Sequence, residues 1–155
     1  MLRWTLSLRR SPFARQARNE ASGIDAPPDF QLEAGTDPAE DLCGPFYLRR
    51  AGDTLTAGMR VLDKHCNSMA SIHGGILMMF ADFALCAQAR YGTDDKHIVT
   101  VSLNTEFVDG APAGAWLASR GEVVRRTRRL VFVQGIIHEA DRPVLTYNDI
   151  GKRIA

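Results

Sequence analysis

The sequence predicts an α+β domain in which a curved antiparallel sheet wraps around one long helix. Three observations predict it. The run 76–89 is apolar almost throughout and rich in Ala, Leu and Met, which favours a helix over a strand. Shorter strand-like segments flank it, at 46–48 and 55–62 before it and at 98–108, 116–124, 130–138 and 144–154 after it. The later segments are joined by short turns at 112–114, 125–129 and 141–143, as in an antiparallel meander. A helix apolar nearly all round must be covered nearly all round, and a sheet curled about it meets that demand.

Each element has its own signals. Gly44-Pro45 opens the first strand, and Asp53 marks a turn. Leu55, Ala57, Met59 and Val61 then alternate onto one face. Residues 65–72 are small and polar and read as an irregular segment. Gly74-Gly75 precedes the helix, Tyr91-Gly92 ends it, and 93–96 is a polar loop. Simple alternation places Val99, Val101, Leu103, Thr105 and Phe107 on one side of the next strand.

The 155 residues suffice for one domain with a real core. The net charge of +1 implies no general pull toward nucleic acid or membrane. No apolar run reaches the roughly 18 residues that span a bilayer. Cys43, Cys66 and Cys86 are far apart, odd in number and form no Cys-x-x-Cys pair. That pattern fits a reducing, cytoplasmic setting better than a disulfide framework or a zinc site. Residues 1–18 carry Arg3, Arg9, Arg10, Arg15 and Arg18 and no acid, with Trp4, Leu6, Leu8 and Phe13 among them. This is the composition of a mitochondrial-type leader, or of a basic arm with no role. Residues 19–41 carry Glu20, Asp25, Asp29, Glu33, Asp37, Glu40 and Asp41 and no base, with Pro27, Pro28 and Pro38 interspersed. They read as a linker or loose surface segment. The expected organisation is a poorly ordered extension over 1–43 and a folded domain over 44–155.

Asp82 is the most informative residue. It is the only charge between His73 and Arg90. A carboxylate inside an apolar helix is costly unless it is partnered or used, and a buried one suits a general base. Without a function it would sit at a solvent window or bond a nearby backbone group. Gly74 and Gly75 fall where the helix begins, where unpaired N–H groups and partial positive charge meet a ligand. A carbonyl on such an N–H is polarised and its oxyanion stabilised; the plainer reading is a glycine turn. From Gly74 to Asp82 is about 12 Å of helix. One helix therefore cannot supply both groups to one carbonyl. If both are catalytic, a second copy of the chain must bring its Asp82 to the first copy's Gly74.

Asn67 and His73 lie just before the helix and can bond a carbonyl, a water or each other. Either could equally serve loop architecture. The spacing of His65, Cys66 and His73 matches no common metal pattern, so no metal is expected. Cys86 lies one turn past Asp82, and a carboxylate neighbour does not favour a thiolate. Arg125, Arg126, Arg128 and Arg129 flank Thr127 at a strand connection. They read as a solvated basic turn or as a phosphate-holding cluster, too small to argue for nucleic acid.

The stretch 67–75 with Asp82 resembles the signature of hotdog thioesterases of the phenylacetate-degradation type and the acyl-CoA thioesterase 13 group. The likeness runs over about 44–154. It implies the hotdog fold and hydrolysis of acyl- or aryl-acetyl-CoA thioesters with no cofactor. By position, it implies that the Gly74 N–H polarises the thioester carbonyl. Asp82 of the partner subunit then acts as general base or nucleophile. Asn67 and His73 place the thioester and water, and Thr100 holds that water beside Asp82. Gly75, Met78, Met79, Phe83 and Arg128 are the expected substrate contacts. The implied assembly is a homodimer with shared sites, often a dimer of dimers. Ala70 departs from the Gly that many relatives carry. The competing readings are a non-catalytic acyl-CoA-binding module and, behind it, a hydratase or dehydratase.

Overall fold

The computed structural model describes residues 12–95 and 97–154. In chain order the elements are α1 (Pro12–Ala21), β1 (Gln31–Glu33), α2 (Pro38–Cys43), β2 (Phe46–Ala51), β3 (Thr54–Arg60), a 3-10 turn (Asp63–His65), α3 (Gly74–Arg90), β4 (His97–Phe107), β5 (Trp116–Arg126), β6 (Leu130–Glu139) and β7 (Arg142–Ile154). The seven strands form one sheet in the order β1-β2-β3-β5-β6-β7-β4, every pair antiparallel. The chain leaves the sheet after β3, runs through α3, and returns as β4 at the opposite edge. The next three strands then fill the middle as a meander. No helix among the described residues is long and apolar enough to cross a membrane.

The core lies between α3 and the inner face of the sheet. Leu77, Phe80, Ala81 and Leu85 of the helix are fully buried, as are Met59, Leu117, Val131, Val133, Ile137 and Leu145 of the strands. Phe46 of β2 meets Phe83 and Phe80 at ring separations of 4.9 and 5.5 Å. Each such large side chain stabilises the fold by about 1.5–3 kcal/mol. The cover is less complete than the apolar run suggests. Gly75, Met78, Met79, Asp82 and Cys86 recur at helical spacing and are only partly buried or exposed. The sheet covers the rest of α3 and leaves this stripe open.

β4 departs from simple alternation. Its register on β7 shifts between Thr100 and Ser102, a β-bulge. The extra residue reverses which side chains point inward. Ile98 and Leu103 pack on the core from opposite sides of the bulge, whereas Val99 and Val101 turn outward, 52% and 59% exposed. Sequence alternation had placed Val99 and Val101 with Leu103, Thr105 and Phe107, and the bulge separates them.

Residues 12–43 also depart from expectation, because most of them join the fold. β1 adds an edge strand to β2. Phe30 packs edge-on against Trp116 at 5.1 Å, with the Arg49 guanidinium over its ring. Gly58 makes room for this, since a Cβ there would lie 2.5 Å from Trp116 and 2.7 Å from Phe30. The acids of the segment find bases on the domain: Glu33 with Arg50 at 2.7 Å, Asp29 with Arg49 at 3.3 Å, Glu20 with Lys64 at 2.5 Å. Each surface pair contributes little. Ring packing and strand pairing hold the segment. The leader-like stretch 1–18 lies outside the described residues up to residue 11; its remainder is in α1, with Ala14 and Ala17 buried. Phe30→Ala is expected to lower folding stability by about 1–2 kcal/mol, read as a fall in the urea midpoint; an unchanged midpoint would show that the segment does not contribute.

Candidate active site

The start of α3 is built from the loop that precedes it. Asn67 folds that loop on itself: its Oδ1 accepts from the N–H groups of Met69 at 2.9 Å and Ser71 at 3.3 Å. Ala70, within the loop, has φ of 55°. That left-handed conformation suits glycine, and an alanine there is strained. His65 pins the loop from below. It is buried, accepts from the Leu62 N–H at Nδ1 and donates from Nε2 to the Gly44 carbonyl. Burial pulls its pKa down, so it stays neutral. The His73 N–H donates to the His65 carbonyl at 2.8 Å, which sets the helix start.

His73 caps the helix. Its Nδ1 accepts the Gly75 N–H at 2.9 Å, and its carbonyl accepts from Ile76 and Leu77. With those three donors occupied, the Gly74 N–H has no protein acceptor among the described residues. The Phe107 ring lies over Gly74, 3.1 Å from where a Cβ would stand. Glycine thus lets the ring lie close over the backbone that carries this unpaired N–H. The unpaired donor is Gly74, because the Gly75 N–H is used by the cap.

Two turns along, Asp82 is partly buried on the open stripe. The Thr100 hydroxyl donates to its Oδ1 at 2.6 Å, a short charge-assisted bond. Thr100 reaches it because β4 delivers its side chain inward just before the bulge. The Cys86 thiol lies 3.8 Å from the same hydroxyl. Burial, and then the Asp82 charge, push that thiol up to about 12, so Cys86 is not a nucleophile. A cavity of about 400 Å³ opens here, lined by Asp82, Cys86, Thr100, Glu40 and Arg90 among others.

Other expected contacts scatter. Phe83 is buried in the core and also faces a second cavity of about 320 Å³, which shares Thr36 and Arg90 with the first. Met78 is exposed, Met79 packs partly on the core, and neither lines a described cavity. Arg125, Arg128 and Arg129 are exposed on the β5–β6 turn. Arg126 turns inward instead and donates to the Ala89, Gln88 and Tyr91 carbonyls, capping the C-terminus of α3. No group of three or more His, Cys, Asp or Glu among the described residues could hold a metal ion.

Two acids near Asp82 escaped the sequence reading. Glu40 of α2 lines the Asp82 cavity. Asp149 of β7 is 4% exposed, and neither of its carboxyl oxygens makes a well-aligned hydrogen bond among the described residues. Burial, tempered by the Ile150 N–H and reinforced by the Asp82 charge, pushes Asp149 up to about 7. A signal for it existed. Leu145, Tyr147 and Asp149 alternate onto one face, and the first two are core residues.

Comparison with known proteins agrees with this architecture. The family model of the thioesterase superfamily matches residues 69–146. The chain is 32% identical to PA0474 of Pseudomonas aeruginosa, which carries the name of an inferred esterase, over 129 residues. That covers 82% of this chain and 96% of the relative, more than residues 44–155 hold, so the likeness reaches into the N-terminal segment. The chain belongs to the thioesterase superfamily and is a thioester hydrolase. Its curled sheet around α3 is the hotdog fold. That fold is shared with the PaaI protein from the phenylacetic acid degradation operon of E. coli, with a TM-score of 0.68, 16% identity, and 92% of this chain and 94% of that one covered. A hypothetical thioesterase of Streptococcus pneumoniae, solved with coenzyme A, also shares it, with a TM-score of 0.62, 16% identity, and 71% and 89% covered.

Asp149 makes a stability prediction with a definite sign. Its folded pKa lies above its unfolded one, so between about pH 4 and 7 the native state holds a proton that the unfolded chain has lost. Wild-type stability contributed by this group therefore falls as pH rises through that window. In Asp149→Asn that loss is removed. The variant is expected to gain roughly 2–4 kcal/mol on wild type between pH 4.5 and pH 8, read from urea unfolding at each pH; a constant difference would refute it.

Proposed function

We propose that the chain hydrolyses acyl-coenzyme A thioesters at sites shared between two copies, with Gly74 of one copy and Asp82 of the other acting on the same carbonyl. The observation that carries this is the arrangement along α3. One free N–H, at Gly74, and one hydroxyl-bound carboxylate, at Asp82, lie on the same helix about 12 Å apart. Asp82 lies on the open stripe, and Gly74 lies at the N-terminal end of α3, where helix N–H groups have no intrahelical partner. A second copy packed antiparallel on the open stripe would bring the two groups together. The exposed edge of β4, with Val99 and Val101 outward, supports such a pairing, since it would continue the sheet.

The chemistry follows from those groups. The Gly74 N–H donates a hydrogen bond to the thioester carbonyl oxygen and stabilises the oxyanion that forms. The Asp82 carboxylate takes a proton from water as the water oxygen bonds the carbonyl carbon. Collapse of the tetrahedral intermediate breaks the carbon–sulfur bond. The thiolate of coenzyme A leaves, and the proton held by Asp82 passes to it. Thr100 orients the carboxylate through its 2.6 Å bond and is a positioning residue. The Asn67 amide nitrogen, whose own oxygen is committed to the loop, is available to the thioester. His73 holds the helix start in place. The exposed Arg128, with Arg125 and Arg129, offers charge for the coenzyme phosphates. The stripe residues Gly75, Met78 and Met79 supply wall at the joint between copies.

Two tests follow. In a thiol-release assay across acyl-CoA esters, Asp82→Ala is expected to lose about a hundredfold or more of turnover while keeping its fold; unchanged hydrolysis would sink the mechanism. Gly74→Pro removes the free N–H at a position where a helix tolerates proline. Mixed with Asp82→Ala under subunit exchange, it is expected to recover up to about a quarter of wild-type activity, since half the dimers would hold one intact site. No recovery after demonstrated exchange would overturn the shared site.

A further inference from the structure

The segment that forms one wall of the Asp82 cavity is the one the sequence presents as a linker. It is held firmly. The Asp37 carboxylate caps α2, accepting from Ala39 at 2.8 Å and Glu40 at 3.3 Å, with Pro38 in the first turn. The buried Asp41 carboxylate accepts the Gly35 N–H at 2.8 Å, and the Gly44 N–H closes on the Glu40 carbonyl at 2.7 Å. The backbone of Glu40 is thus tied on both sides. Its side chain reaches the same cavity as Asp82, Cys86 and Thr100. Among the described residues no group donates a hydrogen bond to its carboxyl. A half-buried carboxyl with no protein partner, beside the proposed hydrolytic carboxylate, is open to whatever enters.

The charge of that cavity is one-sided. Asp37, Glu40 and Asp82 line it, against Arg90 as its one side chain of fixed positive charge and His97 at the rim. Arg90 is exposed and its Nε donates to the Cys86 carbonyl, so it does not pair with Glu40. Burial first, then the charges of Asp37, Asp82 and Asp41, push Glu40 up to about 7, with Arg90 pulling the other way. Near neutrality this carboxyl can therefore both donate and accept a hydrogen bond. A second anion brought into the same space would meet like charges with one exposed counter-ion.

We infer that Glu40 is a specificity-determining residue of this cavity, favouring acyl groups that end in a neutral or cationic group over those that end in a carboxylate. The inference rests on the reading of Asp82 as the hydrolytic centre, which places the acyl group beside it. The cavity of about 400 Å³ is large enough for a short or medium chain or one aromatic ring. Rejection of an acyl carboxylate comes from the repulsive element rather than from a new contact. This is how a small pocket discriminates between chains of equal length.

The test compares hexanoyl-CoA, ε-aminohexanoyl-CoA and adipoyl-CoA, chains of similar length with neutral, cationic and anionic ends. Thiol release is measured as kcat/KM in wild type, Glu40→Gln and Glu40→Lys. In wild type, adipoyl-CoA is expected to fall at least about tenfold below ε-aminohexanoyl-CoA. Glu40→Gln should narrow that ratio severalfold, and Glu40→Lys should invert it. An adipoyl-to-aminohexanoyl ratio that is the same in wild type and Glu40→Gln overturns the inference, as does a wild-type preference for adipoyl-CoA. If wild type hydrolyses none of the three, the hydrolytic reading fails. The same ratio is then taken from Kd by calorimetry, so that the role of Glu40 is judged separately. Should Glu40→Lys fail to fold, Glu40→Gln alone decides.

Discussion

Covering the apolar helix α3 is the constraint on which the rest of this structure depends. Strands β2 to β7 curl to meet it, and the chain crosses from β3 to the far edge so that the meander can close over its length. The cover stops at the stripe of Gly75, Met78, Asp82 and Cys86. Extending the apolar face of the sheet over that stripe would bury Asp82 in apolar surroundings, where an ionised carboxylate is costly. The same incompleteness that spares the carboxylate also leaves it reachable. Stability and accessibility are settled at one place, by how far the sheet extends round the helix.

Around Asp82 the local structure is arranged by small departures from regularity. The bulge in β4 sends Thr100 inward to bond the carboxylate and turns Val99 and Val101 outward along the sheet edge. A strand without the bulge would put those features on other faces. At the helix start, His73 takes the Gly75 N–H and leaves the Gly74 N–H without an acceptor among the described residues. Ala70 holds a strained backbone in the loop that leads there. These distortions lie in the loop, the cap and the strand that flank the site; the meander carries its own register shifts, at Val123/Arg125 and Ile137/His138.

Electrostatics add a second layer. Asp149 behind the helix and Glu40 across the cavity are both pushed up to about 7, and burial is the larger cause in each. The Asp82 charge adds to the rise at both. Much of the acidity of the N-terminal segment, by contrast, is spent on surface pairs with Arg49, Arg50 and Lys64 that dock it to the domain. One segment thus serves attachment and cavity wall at once. Neither use shows in its composition, because both depend on partners tens of residues away.

The sequence by itself determined the long helix, the strands of the meander, and the placing of Gly74 and Asp82 on one helix too far apart to meet. Those features follow from local periodicity and from the fixed rise of a helix, which need no knowledge of neighbours. Only the tertiary structure decided which face of β4 is inward, that Gly74 rather than Gly75 offers the free N–H, that residues 12–43 join the fold, and that Glu40 and Asp149 stand near Asp82. Each of these is a contact between distant parts of the chain, or a single inserted residue that reverses a strand. A period of two or of 3.6 carries no information about either.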